Sequence, residues 1–237
     1  MKKNIIVTGG SSGLGNFLAR KLQKENNNVI NLSRKTVKDL NSYECDLSNE
    51  MELISSFKKI KKKLKKIDCL IFCAGKSSLK SKNVEARWTK SLKDNLLSVV
   101  LTIEIFSKFY KMKEIDIIIF SSIAGKKILF DAPIEYSVSK SALNFYGKLI
   151  SKKFSKDDVR VNIISPGNIL LKNNNWFRRL KKNKYKTLNY INKNVPTKSF
   201  CDPNSIFKLI KLILDKKSNF LGSNIIMDGG QSIWKKK

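Results

Sequence analysis

Ser122, Tyr136 and Lys140 are the residues of this chain whose types and spacing could move a proton. Tyr136 and Lys140 are four apart in a segment that starts after Pro133 and shows helical periodicity through Ile134, Val138, Ala142, Phe145 and Leu149. The spacing puts both on one face of a helix, close to its N-terminus. A phenol, with an ordinary pKa of about 10, is a poor acid near neutrality. A neighbouring ammonium and the positive end of a helix dipole favour the phenolate and lower that value. Tyr136 could then pass a proton to or from an alcohol, with the Ser122 hydroxyl holding the reacting oxygen. The same pattern also suits an amphipathic helix with an incidental Tyr and Lys.

Those residues need elements to hold them. Ile117, Ile118, Ile119 and Phe120 form an apolar run that predicts a strand buried on both faces, ending at the hydroxyl pair Ser121-Ser122. At the start of the chain, KKNIIV (2–7) predicts a strand, followed by Thr8-Gly9-Gly10-Ser11-Ser12-Gly13-Leu14-Gly15 and a helix with Leu14, Phe17, Leu18 and Leu22 on one face. Strand, glycine turn and helix N-terminus is an arrangement that cradles a pyrophosphate, although any tight turn uses such glycines. Further strands are predicted at 28–33, 43–45, 69–73, 159–164 and 223–227. Between them fall a helix capped by Ser48 and running to about Lys66, a long helical region over 84–111, and a last helix from Asp202-Pro203. Such alternation predicts an α/β fold: one Rossmann-type, doubly wound domain over 1–237, with a seven-stranded parallel sheet and helices on both faces.

The motifs taken together resemble the short-chain dehydrogenase/reductase family. TGGSSGLG at 8–15, Cys73-Ala74-Gly75, Asp94-Asn95-Leu96-Leu97-Ser98, Ser122, YSVSK at 136–140, Ser165-Pro166-Gly167 and Met227-Asp228-Gly229-Gly230 fall in that family's order along essentially the whole chain. The resemblance implies catalytic roles for Asn95, Ser122, Tyr136 and Lys140. It implies cofactor contacts from Gly9, Ser11, Ser12, Gly13, Leu14, Gly15, Ser33, Arg34, Asp46, Leu47, Cys73, Ala74, Gly75, Tyr136, Lys140, Pro166, Gly167 and Ile169. Residues 168–200 would form a lid over the substrate, and the protein would be a homotetramer or homodimer. Two positions depart from the family pattern: Cys73 stands where an Asn is usual, and Leu171 lies near a usual Thr. At the end of the second predicted strand, Ser33-Arg34-Lys35 offers no carboxylate to a ribose, so NADP(H) is expected over NAD(H), unless Arg34 merely points into solvent. NLLSV and the segment around Val195-Pro196 resemble 3-oxoacyl carrier-protein reductases. The expected substrate is therefore a small-molecule or carrier-bound carbonyl, either a 3-oxoacyl thioester or a keto- or nucleotide-sugar.

Composition narrows the alternatives. No apolar run approaches a membrane span and no signal peptide is visible, so a cytoplasmic protein is expected. With no histidine, histidine triads and histidine metal sites are excluded, and the four cysteines have no metal spacing; no resident metal is expected. The formal net charge of +29 could serve nucleic acid, an anionic membrane surface or an acidic protein. The lysines are spread over nearly every predicted helix, however, which suits compositional bias, and the lysine face of FKKIKKKLKKI (57–67) has no interleaved exposed aromatics. A nucleic-acid-binding protein on this fold is therefore the remote alternative.

Overall fold

The computed structural model describes residues 2–76, 81–129 and 131–233. Along the chain, β1 (Asn4–Thr8), α1 (Gly13–Lys24), β2 (Asn28–Ser33), β3 (Asn41–Glu44), α2 (Glu50–Lys63) and β4 (Cys69–Phe72) come first. They are followed by α3 (Val84–Leu92), a π-helical turn (Lys93–Leu97), α4 (Ser98–Phe109), β5 (Asp116–Phe120), α5 (Ile134–Phe154) and β6 (Arg160–Pro166). The described chain ends with α6 (Asn175–Lys182), α7 (Lys184–Asn194), α8 (Pro203–Leu214) and β7 (Asn224–Met227).

All seven strands pair in parallel, in the order β3-β2-β1-β4-β5-β6-β7. Alternate side chains of each strand feed two cores. Ile6, Leu70, Phe72, Ile117 and Ile119 pack with Phe57 of α2, Phe106 of α4 and Leu143 of α5. Val7, Ile71, Ile118 and Phe120 pack on the other face with Leu18 of α1 and Ile210 of α8. That is the doubly wound Rossmann arrangement, and it explains why β5 reads as an unbroken apolar run. The chain builds outward from β1 to β3, then crosses to β4 on the other side of β1. This switch opens a crevice at the carboxyl ends of β1 and β4, where such sheets take ligands.

Several local expectations are corrected. The helix α2 starts one residue later than expected, because Asn49 caps it by accepting from the Met51 and Glu52 amides, while the Ser48 hydroxyl is committed to Asp46. It ends at Lys63 rather than near Lys66. The region 84–111 is two α-helices joined by the π-turn. The periodicity of α5 left open which of its faces meets the sheet. Ile134, Val138, Phe145 and Leu149 are 71, 44, 65 and 51% exposed, while the buried side carries Glu135, Ser139, Lys140, Leu143, Asn144, Gly147, Ile150 and Ser151. Gly147 makes this seating possible: a Cβ there would lie 2.8 Å from Ile163 Cδ1, so the helix rests directly on β6. The apolar periodicity was real, but it belongs to the face turned away from the sheet.

Candidate active site

Six segments at the carboxyl ends of β1, β2, β4, β5 and β6 and at the N-terminus of α5 converge on the crevice. The β1–α1 turn holds Gly9, Ser11, Ser12, Gly13, Leu14 and Gly15. Gly9 has φ +70°, and a Cβ there would lie 2.8 Å from Ala74 Cα; the turn therefore passes tightly against Cys73 and Ala74, just before Gly75. Ser12 precedes α1 but offers no side-chain cap, and the first turn of α1 holds no acidic residue. By contrast α2, α3, α6, α7 and α8 are all capped by Asn or Asp side chains. The α1 amides, on a turn that comes as close as glycine permits, suit a pyrophosphate, and a dinucleotide fits the donor set.

At the end of β2, the Ser33 hydroxyl is turned inward, with Asn31 Oδ1 and the Lys35 carbonyl as acceptors within reach of its one hydrogen, leaving exposed Arg34 as the outward-facing group. Asp46 follows β3. Burial opposes its ionisation, but the Ser48 amide and hydroxyl, with Arg34 and Lys90 nearby, hold its carboxyl below the ordinary range. Leu47 is buried in the core. Pro166 ends β6, Gly167 donates its amide to the Met227 carbonyl, and Ile169 forms a parallel bridge to Cys201. Leu171 is half-buried, its carbonyl closing a turn with the Asn174 amide.

The hydroxyl pair after β5 divides its work. Ser121 is buried and donates to the Lys140 carbonyl at 3.1 Å, which fixes α5 to the strand. Ser122 caps the short 3₁₀ turn by accepting from the Ala124 amide, and its side chain bonds to the Tyr136 hydroxyl. Lys140 is 5% exposed, donates to the Phe120 carbonyl at 2.9 Å, and places Nζ 5.9 Å from the centre of the Tyr136 ring. Asn95 is fully buried in the π-turn and accepts from the Lys76 amide at 3.1 Å. A Cβ on Gly75 would lie 2.7 Å from Asn95 Oδ1 and 3.5 Å from Lys140 Nζ, so these two groups bound one small space. The structure thus brings Asn95, Ser122, Tyr136 and Lys140 to one end of the sheet.

The electrostatics differ from the sequence expectation. Burial pushes the Tyr136 phenol up, and the Ser122 bond only partly opposes it. Burial also depresses the Lys140 amine to about 8. Both shifts have one cause, the low-dielectric surroundings, and each favours the neutral form. The phenol therefore stays protonated across neutral pH. Above about 8 the amine loses its charge.

Residues of α6 and α7 reach the loop before α5. Asp131 accepts from Arg179 at 3.4 Å and from the Tyr190 hydroxyl at 3.2 Å, and the Arg179 guanidinium lies 4.3 Å from the Trp176 ring. Gln231, after β7, accepts from Asn168 Nδ2 at 2.8 Å and anchors the start of the segment.

The family model described as short chain dehydrogenase matches residues 3–181. The chain belongs to that family. Carbonyl reductase family member 4 from Xenopus laevis is 28% identical, covering 97% of this chain and 98% of its own. The 3-oxoacyl-[acyl-carrier-protein] reductase FabG of Buchnera aphidicola from Acyrthosiphon pisum is also 28% identical, covering 97% of both chains. Among solved structures, Thermoplasma acidophilum aldohexose dehydrogenase superposes with a TM-score of 0.88 at 21% identity, over 100% of this chain and 96% of that one. The chain is thus a short-chain oxidoreductase acting at a carbonyl or alcohol carbon with a nicotinamide cofactor.

Ser91 and Ser139 escaped the sequence reading, although both are buried beside Asn95 and Tyr136. Small hydroxyls inside helices carry no spacing signal of their own.

Proposed function

We propose that the protein is an NADPH-dependent carbonyl reductase whose substrate is a 3-oxoacyl thioester. The observation that carries the activity is the convergence of Ser122, Tyr136 and a buried Lys140 beside a glycine turn built for a dinucleotide. A nicotinamide dinucleotide held at the β1–α1 turn would supply hydride to the carbonyl carbon. The chain supplies the rest. Ser122 holds the carbonyl oxygen, the Tyr136 hydroxyl gives that oxygen a proton, and the Lys140 ammonium offsets the phenolate left behind. Asn95 keeps the polar space beside Lys140 in order. Residues 168–200, through α6 and α7, cover the substrate and exclude water, held by Asp131.

The cofactor preference rests on Arg34, a fork-shaped cation at the end of β2 with no carboxylate beside it in the sequence Ser33-Arg34-Lys35. Arg34→Ala is expected to weaken NADPH binding roughly tenfold or more while leaving NADH within about twofold. Nicotinamide fluorescence titrations read both. Equal affinity for the two cofactors in the wild type would overturn the preference. The thioester is supported by the carrier-protein reductases among the relatives and by the basic surface, which suits an acidic carrier. Acetoacetyl thioesters with NADPH test it directly, and a wild-type enzyme that reduces simple ketones or keto-sugars but no thioester would remove it.

We also infer that the protein works as a homo-oligomer. Ile134, Val138, Phe145 and Leu149 form an exposed apolar stripe along α5, which a second copy related by a two-fold axis would cover. Light scattering is expected to give a multiple of the 27.1 kDa chain, and Phe145→Asp with Leu149→Asp should reduce the mass to one chain. A monomeric wild type would contradict the inference.

A further inference from the structure

Three residues of α3 and the π-turn, Arg87, Ser91 and Asn95, are spaced four apart and face Glu135 and Ser139 of α5, also four apart. Arg87 Nε lies 3.6 Å from Glu135 Oε1. One turn further on, the Ser91 and Ser139 hydroxyl oxygens are 3.4 Å apart, with the residues 1% and 0% exposed. Another turn on stands Asn95. The two helices therefore meet along a polar stripe, at the level of Tyr136 and Lys140.

The direction of the hydrogen bonds follows from proton counting. Ser139 has one hydroxyl hydrogen and gives it to the Tyr136 carbonyl at 2.8 Å. In the Ser91–Ser139 pair, Ser91 must then be the donor. Asn95 Nδ2 gives one hydrogen to the Lys76 carbonyl at 3.1 Å and shares the other between the Ser91 carbonyl at 3.0 Å and its hydroxyl at 3.4 Å. The chain runs one way: Asn95 amide to Ser91, Ser91 to Ser139, Ser139 to the main chain of Tyr136. With both amide hydrogens committed, Asn95 Oδ1 is left facing the Lys76 amide and the space shared with Lys140 Nζ. Such a chain is self-reinforcing, because each donor polarises the next, and it has no second arrangement with every hydrogen used.

We propose that Ser91 and Ser139 are positioning residues, forming a one-way hydrogen-bond chain that locks the Asn95 amide in register with the Tyr136–Lys140 turn of α5. The inference rests on the oxidoreductase function proposed above, but its first readout does not. Loosening the stripe admits water to the buried Lys140 amine, and hydration restores the charged form. In protein carrying ¹³Cε-lysine, Lys140 titrates apart from the other lysines and is assigned by its loss in Lys140→Met. Ser139→Ala and Ser91→Ala are each expected to raise its midpoint by at least about 0.5 unit. They are also expected to lower kcat about tenfold with the KM for cofactor unchanged, since a misaligned proton donor slows chemistry without touching the dinucleotide cradle. The double variant should lose no more than the worse single variant, because the chain acts as a unit. Ser151→Ala, a buried serine of α5 away from the stripe, should change neither readout.

Unshifted midpoints and unchanged kcat in both single variants would overturn the proposal. So would a double-variant loss equal to the product of the two single losses, or equal effects from Ser151→Ala. Shifted midpoints in the two variants, with a wild type that reduces no carbonyl with either cofactor, would leave the chain standing and overturn the oxidoreductase function instead.

Discussion

Tyr136→Phe is expected to lower kcat for carbonyl reduction by about a thousandfold while NADPH binding stays within about twofold. The substitution removes one oxygen and leaves the ring, so packing and the dinucleotide cradle are retained. What is lost is the proton delivered to the developing alkoxide. The wild-type rate should also carry the signature of Lys140. Burial holds the phenol protonated well past neutrality, so the proton donor itself does not limit the rate there. The amine beside it titrates at about 8, and the phenolate formed by proton donation is offset only while that amine is charged. Reduction should therefore hold level below about pH 8 and fall as pH rises through it. A rate that increases through the same range, or a Tyr136→Phe enzyme within tenfold of wild type, would show that another group delivers the proton.

That arrangement was legible in the sequence for specific physical reasons, and illegible in others. β2 was predicted at 28–33 and found at Asn28–Ser33, because an apolar run bounded by polar turns leaves a buried parallel strand little freedom. The β1 strand and the turn after it were equally plain, since the glycines sit where backbone must approach backbone. The helix α5 shows the opposite case. Its apolar residues at Ile134, Val138, Phe145 and Leu149 carried the period, and period alone does not say which face meets the sheet. The face that does is lined by Glu135, Ser139, Lys140 and Asn144, whose polarity is tolerated because each finds a partner: Arg87, Tyr136 O, Phe120 O and the Gly125 carbonyl.

The π-turn was invisible for a related reason. One extra residue in a helical turn shifts the phase of everything after it, and the region 84–111 has enough apolar residues to satisfy either phase. The shift matters because it seats Asn95 against Lys76 and Ser91 rather than in solvent. The helix cap missed by one residue, Ser48 for Asn49, reflects two adjacent residues of equal capping ability; Asp46 captured the serine hydroxyl and left the cap to the asparagine.

Lys140→Met is expected to abolish most of the turnover and, at neutral pH, to make the protein more stable. The folded amine ionises at about 8, against 10.5 for an ordinary lysine, because burial opposes its charge. Between those values the unfolded chain holds more protons than the folded one, so wild-type stability rises with pH through the window, and the penalty is fully present below about 8. Methionine matches the length of the side chain without the charge. Its melting temperature should exceed that of the wild type by on the order of 5 °C at pH 7. The difference should shrink steadily towards pH 9.5, where the wild-type amine is neutral. Thermal unfolding at the two pH values measures this, and a gap that is absent at pH 7 or widens with pH would mean that the ammonium is held by favourable contacts. Within the described residues its direct acceptor is one carbonyl, Phe120 O at 2.9 Å, with no carboxylate partner. A buried cation so thinly supported is unfavourable for the fold. Its location beside Tyr136 makes sense as a charge kept for chemistry, at a position where a neutral side chain would fold better.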